Sequence, residues 1–192
     1  MAEAGKSGVS ANTPKKVLFG AGTIHKGLKF SGDSWNFTET IVGATSGGSK
    51  FEVIPTLTEI EVDGALVPVK GLTHKKTGEA ATMEVNFIEL TDDVMKAALI
   101  AQLGISEDDA YSVLESKPDI EEGDYWDNIA FVGKDLNGGN IIAILPNALC
   151  TSGLSLEGKD KEASKPAVTF VCTADSTGEL DKLPWKIYRP VA

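Results

Sequence analysis

The stretch from Phe51 to Leu72, FEVIPTLTEIEVDGALVPVKGL, constrains the fold more than any other part of the chain. Thr58, Ile60 and Val62 alternate with Glu59, Glu61 and Asp63. That period of two marks a strand with one buried and one wet face. Asp63-Gly64 then supplies the left-handed turn chemistry of a tight hairpin. The run from Ala80 to Leu90 repeats the pattern, with Met83, Val85 and Phe87 alternating with Thr82, Glu84 and Asn86. The polar faces carry carboxylates with no neighbouring group that would use them as acids or bases. Both runs read as architecture.

Glycine supports a β-rich chain: there are 20 in 192 residues, and few stretches keep a helical period. With 42% hydrophobic and 24% charged residues, a packed core is expected rather than global disorder. Residues 1–16 are expected to form a flexible N-terminal arm and residues 17–192 a single β domain. The start, MAEAGKSGVSANTPKK, has no apolar centre and is not expected to be a secretory signal. No stretch approaches a membrane span in length and apolarity.

One helix is expected from Thr91 to Leu103. Thr91 is a good N-cap, Asp92 and Asp93 suit the positive end of the helix dipole, and Gly104 would stop it. Val94, Ala98 and Leu99, with Met95 and Leu103, would line its apolar side. A further helical turn is expected within Ser106 to Leu114. Strands are expected at Asn128 to Lys134 and Asn140 to Leu145, around the Asn137-Gly138-Gly139 turn. Another pair is expected from Thr151 to Lys159 and Ala167 to Thr173, with a charged tip from Lys159 to Lys165. Val17 to Phe30 reads as a short strand or loop pair, and Ser31 to Lys50 as a long hairpin or Ω-type loop. The expected fold is therefore mainly β: a β-sandwich or partly open barrel with one flanking α-helix and a long extended loop.

The sequence marks no reaction chemistry. Val17 to Gly22 imitates a dinucleotide fingerprint, but His25 stands where the third glycine belongs. Gly43 to Lys50 is a near miss to a phosphate loop, with Ser49-Lys50 inverting the needed order and a strand following. His25 and His74 lie in polar surroundings and read as surface residues. Glu121, Glu122, Asp124 and Asp127 lack the ligand spacing of a calcium loop and read as a solvated acidic connection. Tyr125 and Trp126 beside them read as core or interface anchors. Cys150 and Cys172 sit in apolar runs and read as buried, reduced thiols, too far apart in sequence for a paired-cysteine zinc knuckle. No catalytic, cofactor-binding or metal-ligating residues are expected, and the chain reads as a non-enzyme. Trp35 and Phe37, next to the flexible TSGGSK, have two readings: a surface made to be buried by a partner, or a patch folded back on its own domain.

Five segments in order carry a resemblance: LFGAGTIHKG (Leu18 to Gly27), GATSGGSKF (Gly43 to Phe51), IEVDGALVPVKGL, EVNFIELT, and the stretch NIIAILPNALC through TFVCTAD. Together they resemble the major tail (tail tube) proteins of long-tailed bacteriophages and phage-like particles, over roughly Leu18 to Tyr188. The resemblance implies a virion protein made and assembled in the host bacterial cytoplasm. It implies stacked hexameric rings, forming the tail tube through which DNA passes during ejection. Implied partners are other copies of the chain and other tail proteins (tape measure, distal tail, terminator). Duplex DNA passes without specific binding, and no membrane is involved. The loop from Ser31 to Lys50 is the expected inter-subunit arm, with Trp35, Phe37, Thr45, Gly47 and Gly48 as candidate joint residues. Glu59, Glu61 and Glu84, on the wet faces of the two best strands, are the candidate lumen-facing residues. The formal charge of −10, from 18 basic and 28 acidic residues, fits a passage that must not hold a phosphate backbone. A contractile-tail or bacteriocin tube subunit, or a monomeric immunoglobulin-like binding or decoration module of a virion, remains an alternative reading.

Overall fold

The computed structural model describes residues 8–191, apart from the side chain of Phe19. The first part of the expected N-terminal arm, residues 1–7, lies outside them. A 3-10 turn at Thr13–Lys16 leads into strand β1 (Leu18–His25). Two-residue strands β2 (Phe30–Ser31) and β3 (Ser34–Trp35) make a small hairpin. They are followed by the long strands β4 (Thr45–Glu59) and β5 (His74–Phe87). Helix α1 (Asp92–Leu99) precedes a second small pair, β6 (Ala101–Leu103) and β7 (Leu114–Ser116). A 3-10 turn at Glu122–Asp124 then introduces β8 (Trp126–Asp135), β9 (Asn140–Cys150), β10 (Ala167–Cys172) and β11 (Lys186–Tyr188).

The main sheet is antiparallel, in the order β1-β8-β9-β10-β5-β4, with β11 also on β9. Strand β9 serves two neighbours on one edge: Ile142 to Ile144 face β11, and Ala148 to Cys150 face β10. The sheet turns at this shared strand into a sandwich-like fold. Its two edges approach where the Val42 N–H donates to the Ile24 carbonyl (3.0 Å), without a ladder that would close a barrel. The core between the layers collects Ile24, Met83, Val85, Phe87, Ile129, Leu145, Val168 and Phe170, all fully buried. β5 supplies it by strict alternation, Ala81, Met83, Val85 and Phe87 pointing inward.

Helix α1 begins as expected, with the Thr91 hydroxyl accepting from the Val94 N–H (3.3 Å). It ends earlier than expected. Ile100 takes a left-handed conformation (φ 49°) and returns its N–H toward Ala97. A β-branched residue is a costly choice there, so the sequence gives no warning of the stop. Ala101–Leu103 is then a strand rather than the last helical turn, pairing with Leu114–Ser116, and the helical turn expected within Ser106 to Leu114 is a bend and turn at residues 107–110 with no helix. Shortening the helix moves its apolar face: Val94, Ala97 and Ala98 are buried, and Leu99 is 49% exposed.

Other boundaries also differ. β1 is a continuous eight-residue strand, bulged between Phe19 and Thr23. Gly22 is needed in it because a Cβ there would overlap the Phe131 ring and the Val132 carbonyl of β8. Of the two glycines that imitate a dinucleotide fingerprint, Gly22 is thus a close strand approach, and Gly20 serves the bulge through its positive φ (79°). Residues 151–158 form no strand, and β10 pairs with β5 and β9 instead. Cys150 and Cys172 are free and buried, and burial pushes the Cys172 thiol up to about 11.

The shifted helix face separates two neighbouring substitutions. Val94→Asp places an unpaired charge in the core and should cost on the order of 3–5 kcal/mol. Leu99→Asp should change stability by about 0.5 kcal/mol or less, as an exposed position does. Urea unfolding of the two variants beside the parent checks both.

Candidate functional site

The β4–β5 hairpin is half core and half free. Pairing runs from Thr45↔Phe87 to Glu59↔His74, with register shifts between Thr45 and Ser49 and between Thr56 and Leu57. The near half holds Phe51↔Met83 and Val53↔Ala81 against the core. From Ile54 to Leu72 every residue is exposed. A strand wet on both faces has left the body of its domain. Ile54–Glu59 alone carries the hairpin roughly 20 Å outward. At its end Leu66 is 99% and Val67 71% exposed, with Ile60, Val62, Val69 and Leu72 also in solvent.

This arm corrects the expected tight hairpin. Asp63-Gly64 is indeed a turn, closed by Ala65 N–H to the Val62 carbonyl (3.1 Å), but it lies within the tip formed by residues 60–73. The partner of the Phe51 strand is β5, the second alternating run, and not the stretch after Gly64. The root of the arm is fixed by Glu79. Its carboxylate takes the Lys76 ammonium (2.6 Å) and the Leu183 N–H (3.0 Å), which together hold its pKa below the ordinary carboxylate value. Farther out, the Thr58 and Thr77 hydroxyls meet across the strands (2.9 Å).

The solvent side of the sheet next to the root is polar. Lys50, Glu84 and Thr169 form one cross-strand row, and Glu52, Thr82 and Val171 the next. Lys50 pairs with Glu52 (2.8 Å), and this hydrogen-bonded pair raises the lysine pKa. Glu84 stands on this face. Glu59 and Glu61 do not join it: Glu59 ends β4 on the arm and Glu61 belongs to the tip.

The segment from Ser31 to Lys50 is a built part of the domain rather than a free loop. Thr45, Gly47 and Gly48 belong to β4, where the two glycines (φ 95° and 88°) form a bulge between Thr45 and Ser49. The Asn86 amide donates to the Gly48 carbonyl (3.2 Å). Trp35 and Phe37 fold back on their own domain, half-buried against a second cluster of Leu28, Ala130, Ile142 and Ile144 on the outer side of β8 and β9. Trp35 lies edge-on between Phe30 (5.4 Å) and Tyr188 (4.9 Å). Removing Asp33 to Gly48 would therefore take away core as well as loop.

His25 is buried, contrary to the surface expectation, because two hydroxyls satisfy both ring nitrogens. The Thr40 hydroxyl donates to the Asn36 carbonyl (2.7 Å), so it accepts from His25 Nδ1 (2.8 Å). Nε2 then accepts from the Thr23 hydroxyl (2.7 Å). The ring meets Phe37 edge-on at 5.8 Å, pinning the 36–40 segment to β1. His74 is exposed, 3.5 Å from Glu59.

The acidic connection is only partly solvated. Asp124 is buried on the Lys117 ammonium (2.5 Å), which also reaches Glu121 (3.2 Å). Burial alone would raise the Asp124 pKa, but Lys117 and the Glu121 N–H outweigh it and lower it. Trp126 is core, stacked near Phe170 (4.9 Å) and covered by the Lys26 ammonium at 4.6 Å. Lys26 also bonds Asp93 at the start of α1 (2.9 Å). Among the described residues no group of three or more His, Cys, Asp or Glu is placed to hold a metal ion, and no helix is long and apolar enough to cross a membrane. The arrangement offers surface for association, and the arm that dominates it was missed in the sequence. The signal was the apolar run Leu66-Val67-Pro68-Val69 with no alternating partner. No family model matches the chain, and no curated protein matches it.

His25 gives a pH test of the folded-back segment. Burial lowers its pKa, so the folded state keeps the ring neutral while the unfolded chain takes a proton near 6.5. The His25 contribution is complete above that pH and falls as pH drops from there toward the lowered folded pKa, with a slope that cannot exceed about 1.4 kcal/mol per pH unit. His25→Gln should remove this slope between pH 6.5 and 5, measured as urea midpoints across that range. A parent and variant with parallel profiles would contradict it.

Proposed function

We propose that the chain is a non-enzymatic structural subunit of a phage or phage-like tail, polymerising as stacked hexameric rings into the tail tube that conducts DNA during ejection. The observation that carries this reading is the arm: a paired hairpin that holds an exposed apolar tip away from its own core. Exposed apolar surface of this kind marks a place to be covered by another molecule. The sheet supports the same reading. Among the described residues β4 pairs only with β5, so its outer edge is open to a neighbour's strand, and sharing strands around a ring removes such edges. The resemblance of the five ordered segments supplies the particular assembly.

In this reading the polar face of Lys50, Glu52, Thr82, Glu84 and Thr169 lines the passage, and Glu84 is its lumen-facing acid. Glu59 and Glu61 ride on the arm and act between subunits. The passage holds DNA off because acids and small hydroxyls offer few counter-charges to a phosphate backbone. The assembled tube belongs to the virion tail, is built in the host bacterial cytoplasm, and meets the tape measure, distal tail and terminator proteins at its interior and ends.

Replacing Thr58–Lys75 by a two-residue Asn-Gly turn tests the arm. It preserves the Leu57–Lys76 pairing, the Lys76–Glu79 bond and every core residue. The shortened chain should fold, melt within a few degrees of the parent, and stay monomeric under light scattering, while the concentrated parent forms rings or tubes by negative-stain microscopy. Regular tubes from the armless chain would remove the arm from assembly. A parent that stays monomeric at every concentration would remove the tube reading altogether.

A further inference from the structure

We propose that the arm tip of one copy docks into the aromatic cleft between β2–β3 and β11 of a second copy. This rests on the self-assembly reading above and names the surface that receives the arm. The cleft is floored by Trp35 and Ile144 and walled by Phe30 and Tyr188, with Lys29 and Lys186 at its margin. Phe30 is 58% and Tyr188 40% exposed although both are stacked on Trp35, so the aromatic ladder is held in shape and left uncovered. β11 pairs with β9 alone, which leaves its other edge without a strand partner among the described residues. Two cations and three aromatics thus share one concave place on a chain of net charge −10. A third cation, the exposed Arg189, follows Tyr188 in the sequence.

The arm tip has the complementary chemistry. Glu59-Ile60-Glu61-Val62-Asp63 alternates acids with apolar residues, and no basic residue occurs from Glu59 to Val69. Ile60, Val62, Leu66 and Val67 suit the aromatic floor, and the carboxylates suit Lys29 and Lys186 at the rim, with Arg189 next to Tyr188 in the sequence. Buried aromatic and arginine anchors in a pocket carry most of an interface's energy, and opposite charge at the rim sets partner and register. Charge also rejects the other broad apolar surface. Leu99, Leu103, Ile105 and Tyr111 are exposed, but Glu107, Asp108, Asp109 and Glu115 accompany them and would repel the tip. The edge around Val17, Leu18 and Leu136, beside Lys15 and Lys16, shares the favourable sign and is the rival the experiment must separate.

Reversing charge on each side tests the docking in the full chain. Glu59→Lys, Glu61→Lys and Asp63→Lys together should raise the concentration for half-assembly roughly tenfold or more. Lys29→Glu, Lys186→Glu and Arg189→Glu together should do the same, and all six in one chain should restore assembly. Every residue changed is exposed, so the melting temperature of each variant should stay near the parent's and confirms that folding is intact. A photo-crosslinking residue at Leu66 in assembled parent protein should link to the segment 28–36 or 186–189 of another copy. Crosslinks elsewhere, or loss of assembly on reversing Lys15 and Lys16 with no effect at Lys29, Lys186 and Arg189, would overturn the cleft while leaving self-assembly standing. Absence of any assembly by the parent would instead sink the reading beneath it.

Discussion

The structure depends on β5 being gripped along its inner half. Between Ala81 and Phe87 it has β4 on one side, β10 on the other and the core beneath. Every second side chain there is fully buried, so a slip of one residue would turn that whole set into water. Register is consequently fixed at the inner end of the hairpin. Strand pairing carries that register past the core as far as Thr56↔Gly78, and a single shift between Thr56 and Leu57 sets it for the outer pairs Leu57↔Lys76 to Glu59↔His74. The arm inherits its geometry from a core that it does not touch.

That inheritance explains what the sequence made legible. β5 was readable because Met83, Val85 and Phe87 alternate in a segment that is in fact half-buried. The Asn137-Gly138-Gly139 turn was readable because its chemistry is local: the Asp135 carboxylate collects the Asn137 and Gly139 N–H groups at 2.8 Å. The Thr91 cap was local too. Pairing partners were not readable. Ile60 and Val62 alternate with acids just as core-facing residues would, and Asp63-Gly64 turns just as a hairpin tip would. Nothing in that pattern distinguishes burial by the chain's own core from burial by another chain. The helix stop at Ile100 and the long β1 through Gly20 and Gly22 fail for the opposite reason: tertiary contacts override the local preference.

The candidate surface shows the same division. Trp35 and Phe37 drew notice as aromatics beside flexible glycines, yet they cover β8 and β9 of their own domain. His25 looked polar and exposed, and it is buried because Thr23 and Thr40 happen to meet its two nitrogens. Asp124 looked like one acid of a solvated run, and Lys117, seven residues earlier in the sequence, buries it. In each case the deciding partner is distant or non-obvious in sequence, and composition near the residue misleads. The arm is the reverse case. Its apolar residues are conspicuous in sequence, and only the fold reveals that no part of the described domain covers them.

Charge then decides what kind of cover is needed. Copies of a chain with net charge −10 repel one another, and at physiological ionic strength that repulsion reaches only about 8 Å. In the proposed assembly, association must therefore be won at short range. The paired strands of the arm, rooted by Glu79, have little freedom left to lose. The irregular tip at residues 60–73, which carries Leu66 and Val67, must still be ordered on contact. Burying Leu66 and Val67 fully is worth roughly 1.5–3 kcal/mol for each side chain before that cost. If copies do assemble as proposed, the long-range repulsion that keeps them apart at low concentration leaves the arm's short-range contact as the term that determines where, and with which face, they meet.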